Sequence, residues 1–184
     1  MFRYCPACAS EGIRFEDNHV FRCPACGFVY YHNTAAATAV LIDTGESILF
    51  VRRGEEPAKG KLDLPGGFVD PHEGAIDGII RECREELGWM PDMTALSLFA
   101  SFPNVYPYKN IVYNTCDLFF TVRIPGFTTD MTRPRQGEID GILLIKYGDI
   151  RLDEIAFDSA RAAVRLFLSR PHKHETCENP RQSC

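Results

Sequence analysis

Apolar and polar positions change rhythm several times along this chain. AAATAVLI (Ala35–Ile42) and SILFVRR (Ser47–Arg53) are short, nearly continuous apolar runs joined by Asp43-Thr44-Gly45-Glu46, and they predict two buried strands around a turn. EEPAKGKLDLPGGF follows, broken by Pro and Gly, and reads as a loop. TALSLFASF, YNTCDLFFTVRI and GILLIKYGDI predict further strands, with PNVYPYKN as a loop between the first two. In FDSARAAVRLFLS (residues 157–169), Phe157, Ala160, Val164, Phe167 and Leu168 share one side, which predicts a closing helix packed on the sheet.

The segment GGFVDPHEGAIDGIIRECREELGW (66–89) keeps a helical period. Wound at about 100° per residue, Ile76, Ile79, Ile80, Cys83 and Leu87 form one apolar stripe. Glu82, Glu85 and Glu86 form a separate acidic face, about 100° wide. Like charges at i, i+3 and i+4 repel and weaken a helix. A bound cation removes that penalty, and carboxylate oxygens suit Mg²⁺ or Mn²⁺. A solvated face with i,i+4 pairs such as Arg81–Glu85 is the plainer alternative. Gly78 lies on the acidic side, where a side chain is expected to crowd a bound group. Gly88 is a natural C-cap.

Residues 1–33 have a different texture. CPAC occurs at Cys5–Cys8 and again at Cys23–Cys26, and two such turns complete a tetrahedral Cys₄ shell for zinc. So short a segment builds little core, so a structural Zn²⁺ has a physical purpose. A closed Cys₄ site leaves no open position for chemistry. The expected division is a ribbon over 1–33, a larger domain over 34–169, and a disordered polar tail over 170–184. His172, His174 and Cys177 in that tail are weak metal-ligand candidates. Cys83 and Cys116 have no evident base nearby and are expected to pack.

Composition narrows the function classes. The chain has 184 residues, 45% hydrophobic and 24% charged, with net charge −5 and pI about 5.5. Those are globular values, and no basic tract is present to hold nucleic acid by charge. No run reaches membrane-spanning length and no apolar leader opens the chain, so a cytoplasmic protein with reduced cysteines is expected.

At this point the sequence resembles the Nudix hydrolase family, whose signature is G-x5-E-x7-R-E-U-x-E-E-x-G-U with U bulky and apolar. Gly67, Glu73, Arg81, Glu82, Cys83, Glu85, Glu86, Gly88 and Trp89 occupy those positions in register, with Cys83 and Trp89 in place of the usual aliphatics. The resemblance extends over residues 34–168. It implies an α/β fold: a mixed sheet in an α/β/α sandwich, here preceded by a small zinc ribbon. It implies hydrolysis of a nucleoside diphosphate linked to another group. It implies that Glu82, Glu85 and Glu86 bind divalent metal with the Gly66 carbonyl, while Glu73 and Arg81 brace loop against helix. Glu138 is the expected additional acid, with Asp140 or Glu154 as alternatives. Glu85, Glu86 and Glu138 are the candidates to take the proton of an attacking water.

A Cys₄ ribbon ahead of this signature is similar to the NADH pyrophosphatase group, which carries S-Q-P-W-P-F-P-x-[SQ] downstream. Ser101, Pro103 and Pro107 match that motif, and Phe102, Asn104 and Tyr106 depart from it. The proline-rich form is also similar to ADP-ribose pyrophosphatases. Phe102, Tyr106 and Tyr108 offer faces for a stacked ring, and Arg52 and Arg53 are candidates for phosphate. The expected substrate is therefore NADH, NAD⁺ or ADP-ribose, a small nucleotide rather than nucleic acid or membrane. Pyrophosphohydrolysis of modified nucleoside triphosphates and a non-catalytic nucleotide sensor are the alternatives. Similar proteins imply a homodimer.

Overall fold

The computed structural model describes residues 2–17, 19–109, 111–134 and 139–170. Glu138 and the tail candidates His172, His174 and Cys177 lie outside the described residues.

The N-terminal segment forms a three-stranded antiparallel sheet: β1 (Arg14–Glu16), β2 (Val20–Arg22) and β3 (Val29–Tyr31). Its small core is Val20 and Phe21, capped by the ring of Phe2 at 4.8 Å from Phe21. Little else is buried there apart from the thiols of Cys5 and Cys23.

The larger sheet has seven strands: β4 (Ala35–Asp43), β5 (Ser47–Arg53), β6 (Leu62–Asp63), β7 (Gly66–Phe68), β8 (Ser97–Tyr108), β9 (Ile111–Arg123) and β10 (Ile139–Lys146). The order is β10-β5-β4-β9-β8, with β6 paired to β5 and β7 paired to β4. β4 and β9 run parallel from Ala35↔Thr115 to Asp43↔Arg123, while the other pairings are antiparallel, so the sheet is mixed. β4 and β5 are paired only at Asp43↔Ile48. Beyond that point they part, and β6 and β7 fill the two separated edges.

Alternation along the strands sends successive side chains to opposite layers. Val40 and Ile42 with Leu49 and Val51 face one layer, where Ile79, Cys83 and Leu87 cover them from helix α1 (Ala75–Glu82) and the turn after it. Leu41 with Ile48 and Phe50 face the other, covered by Ala160, Val164 and Phe167 of helix α2 (Asp158–Ser169). Each fully buried aliphatic or Phe side chain contributes about 1.5–3 kcal/mol. The expected α/β/α sandwich follows. Among the described residues no helix is long and apolar enough to cross a membrane.

Three local features differ from the sequence reading. EEPAKGKLDLPGGF is not all loop, since it carries the short strands β6 and β7. The first six residues of PNVYPYKN are not a loop. Residues 103–108 continue β8, which pairs with β9 as far as Tyr108↔Ile111. Prolines 103 and 107 are tolerated because β8 is an edge strand, where a missing N–H removes no ladder bond on the open side. Cys116 is exposed on β9 rather than packed, whereas Cys83 is fully buried and burial pushes its thiol pKa well up.

Candidate functional site

The acidic segment begins as α-helix and ends as a π-helical turn, Cys83–Leu87. Gly88 closes it in the left-handed conformation (φ 62°), which only glycine adopts without penalty. A π-turn shifts where side chains point relative to a regular helix, and such turns concentrate at functional sites. Glu85 and Glu86 lie in this widened turn. Glu82 sits just before it and is buried at 9% exposure.

Arg81 organises the acids. Its Nε donates to Glu73 Oε1 at 2.8 Å and Nη2 to Glu73 Oε2 at 3.1 Å. Its Nη1 donates to Glu82 Oε1 at 2.7 Å and Glu85 Oε2 at 3.2 Å, and Nη2 reaches the Phe68 carbonyl at 2.9 Å. The guanidinium holds Glu73 below the ordinary carboxylate range, helped by the Asp70 N–H, and Arg81 in turn keeps its own proton more tightly. The pairing of Glu73 with Arg81 ties the loop before α1 to its last turn.

The helix meets the sheet at β7. Gly66 N–H donates to Glu86 Oε2 at 3.1 Å. A Cβ on Gly67 would overlap the Glu82 carboxylate, and one on Gly66 would overlap the Thr38 carbonyl. Glycine at both positions lets the carboxylates approach the strand backbone. Gly78 serves a different contact from the one expected: it is buried, and a Cβ there would press on Thr38 Cγ2 at 3.2 Å, so it permits close packing of α1 on β4.

Gly66 and Gly67 also edge a cleft of about 130 Å³ between β4, β9 and the start of α2. Its walls are aromatic: Tyr106 lies 5.4 Å from Phe68 and 5.4 Å from Phe157. Arg53 stands over the Phe157 ring at 4.9 Å and donates to Asp63 Oδ2 at 3.0 Å. Burial pushes the Asp63 pKa up to about 6, against the pull of Arg53 and the Leu64 N–H.

Of the expected ring- and phosphate-binding residues, Arg53 and Tyr106 line this cleft. Arg52 does not: its Nη1 is bonded to the Gly60 carbonyl at 2.7 Å, because alternation on β5 turns it away from Arg53. Phe102 packs 6.0 Å from Phe119 in the layer under α2 and borders a neighbouring groove instead. Tyr108 is exposed at the far end of β8. Asp140 and Glu154 are both exposed. Sequence reasoning missed Asp63, Phe68, Asp117 and Phe157. Asp117 alone carried a signal, as a charged residue inside an apolar strand.

The four ribbon thiols lie within 4.8 Å of one another, with Cys5–Cys26 and Cys8–Cys23 each 3.7 Å apart. A tetrahedron with Zn–S of about 2.3 Å has an edge near 3.8 Å, so the site fits zinc. Each knuckle is closed by the same bonds, Ala9 N–H to the Cys5 carbonyl and Gly27 N–H to the Cys23 carbonyl. Among the described residues no acidic group converges as closely, since Glu82 and Glu85 turn toward Arg81.

A family model of the NUDIX domain matches residues 32–166. The NAD-capped RNA hydrolase NudC of Chromobacterium violaceum is 30% identical over 138 residues, 75% of this chain and 48% of that protein. The ADP-ribose pyrophosphatase of Methanocaldococcus jannaschii is 33% identical over 82 residues, 45% of this chain and 48% of that protein. The chain thus spans about half the length of these relatives. A NUDIX hydrolase from Nitrosomonas europaea shares the fold with a TM-score of 0.65 at 20% identity, covering 93% of each chain. The NUDIX domain of Shewanella oneidensis NrtR, solved with ADP ribose, does so with a TM-score of 0.58 at 18% identity, over 74% of this chain and 90% of that one.

Proposed function

The chain belongs to the NUDIX family, and we propose that it cleaves the pyrophosphate of a nucleoside diphosphate linked to another group, with NADH, NAD⁺ or ADP-ribose as the substrate. One observation carries this reading. The acidic turn and the aromatic cleft meet on the same two residues, since Gly66 and Gly67 touch Glu86 and Glu82 on one side and edge the cleft on the other. A dinucleotide with its base in the cleft would bring its phosphates toward the carboxylates.

The donor set fits a hard cation in kind: Glu82, Glu85, Glu86 and the Gly66 carbonyl offer oxygen alone. Bound there, Mg²⁺ or Mn²⁺ would offset phosphate charge and lower the pKa of a coordinated water. The remaining chemistry belongs to the chain. Water oxygen attacks one phosphorus, the bridging P–O bond breaks, and a nucleoside monophosphate leaves with the second phosphate-bearing product. A carboxylate takes the proton of the water, with Glu85, Glu86 and Glu138 as the candidates. Arg81 positions Glu82 and Glu85 rather than touching substrate. Arg53 is close enough to the cleft aromatics to pair with phosphate or ribose.

The thiols form a structural zinc ribbon over residues 1–33, followed by the catalytic domain over 34–169. We place the protein in the cytoplasm, where thiols stay reduced for the metal. Names of relatives support the substrate class: one acts on NAD-capped RNA and another on ADP-ribose. Net charge −5 favours the free dinucleotide over an RNA body.

The test is product analysis after incubating the chain with NADH, NAD⁺, ADP-ribose, diadenosine polyphosphates and nucleoside triphosphates, each with Mg²⁺ or Mn²⁺. Release of a monophosphate from the first three is expected. Cleavage confined to triphosphates would replace the reading with a triphosphate pyrophosphatase, and none at all with a nucleotide sensor.

A further inference from the structure

Two polar atoms at the floor of the aromatic cleft lack a protein partner among the described residues: Thr115 Oγ1 and Asp117 Oδ1. Both residues are more than nine-tenths buried, at 3% and 8% exposure, and both line the cleft. They sit two apart on β9 and so face the same side of the sheet. Their neighbours on β4 are Ala35 and Ala37, whose small side chains leave the floor open. An unsatisfied buried acceptor is costly and rare in a folded protein, so this pair has a use.

The chemistry of the pair is specific. Asp117 Oδ2 is occupied, accepting from Ser159 Oγ at 2.6 Å. Only Oδ1 is left, and a carboxylate oxygen is a hydrogen-bond acceptor. Thr115 Oγ1 can donate. Asp63, the other acid at the cleft, is engaged by Arg53 at 3.0 Å and by the Leu64 N–H at 2.9 Å. The residues lining the cleft therefore include one acceptor and one donor without a protein partner, together with the rings of Phe68, Tyr106 and Phe157.

We infer that Asp117 Oδ1 and Thr115 Oγ1 select a planar ring whose edge carries an N–H₂ group next to a hydrogen-bond acceptor. Adenine presents this edge, with its exocyclic amine beside a ring nitrogen, and so does a pyridine carboxamide. Hypoxanthine and pyridine carboxylate present oxygen where the amine was, and that oxygen would face the Asp117 carboxylate. This deepens the diphosphatase reading, on which it rests for the phosphate end of the ligand.

The test is calorimetric titration of the full chain, without divalent cation, with AMP against IMP and with nicotinamide mononucleotide against nicotinic acid mononucleotide. The amino or amide member of at least one pair is expected to bind about tenfold or more tightly, and the pair that discriminates identifies the ring. Thr115→Val, of nearly unchanged shape, should narrow the ratio. Asp117→Asn should level or invert it, because Ser159 can hold the amide oxygen and leave its N–H₂ toward the cleft. Equal affinities within both pairs, no measurable binding of any of the four, or a ratio unchanged in both variants overturns the assignment. The wild-type comparison needs no variant to fold. An amine preference without cleavage in the substrate panel would sink the diphosphatase reading and leave this one, and cleavage without preference would do the reverse.

Discussion

Arg81 grips Glu73 through two nitrogens at 2.8 and 3.1 Å, and the same guanidinium reaches Glu82 and Glu85 with a third. One cation thus sets both the loop before the helix and two acids of its last turns. Arg81→Lys keeps the charge but loses the planar fork. Turnover is expected to fall at least tenfold, and the unfolding free energy to fall as well, since the buried Glu82 and the partly exposed Glu73 and Glu85 lose donors. Urea melts and steady-state kinetics on the same preparation check both. A variant with full activity would show that the brace does not position the acids.

Glu86→Gln tests the acidic turn with little structural change, since the amide oxygen can still accept from Gly66 N–H at its 3.1 Å position. Stability should stay within about 1 kcal/mol. Turnover should fall about a hundredfold or more, as expected for loss of a group that holds metal or takes a proton. Unimpaired hydrolysis would remove Glu86 from the mechanism.

Zinc should be present at one equivalent per chain, measured by elemental analysis. Stripping it with a strong chelator should abolish hydrogen-exchange protection at Val20 and Phe21, whose small core cannot hold the ribbon alone. Protection at Ile79 and Val164, in the two layers of the larger sheet, should persist. Ribbon amides that stay protected without metal would overturn the structural role.

Asp63 predicts a pH effect of definite sign. Its carboxyl is pushed from the ordinary 3.8 up to about 6, mainly by burial, so the folded state holds that proton more tightly than the unfolded chain. The associated stability is fully present below about pH 4 and is lost as pH rises through about 6. The rise corresponds to an upper bound of about 3 kcal/mol. Between pH 4 and 7 the wild type should therefore lose more stability than Asp63→Asn, which has no proton to lose there. Parallel melting curves across that range would place the carboxyl at its ordinary pKa.

The long strands of the larger sheet, both helix faces and the paired knuckles were legible in the linear chain, whereas β6 and β7 were hidden in a segment rich in Pro and Gly. Each rests on residues within a turn or a strand of one another, where periodicity alone sorts core from surface. Ile79, Cys83 and Leu87 are buried as their spacing requires. The second half of the edge strand escaped notice because Pro103 and Pro107 look like loop residues, and whether a proline is tolerated depends on which side of β8 has a neighbour. Arg52 and Arg53 are adjacent and chemically alike, so local sequence could not choose between them. The pleat of β5 chose Arg53.

Arg53 and Tyr106 were candidates from the sequence, but the assembly of the cleft belongs to tertiary structure. Asp63, Tyr106, Asp117 and Phe157 come from β6, β8, β9 and the residue before α2, and share no spacing that a linear reading could detect. They are brought together because β4 and β5 part, β7 fills the gap beside β4, and α2 returns across the far layer. Local pattern decides which side of an element is apolar, since that needs only the helix or strand period. Which polar atoms end up facing one another, and which are left without a partner, is decided by long-range packing.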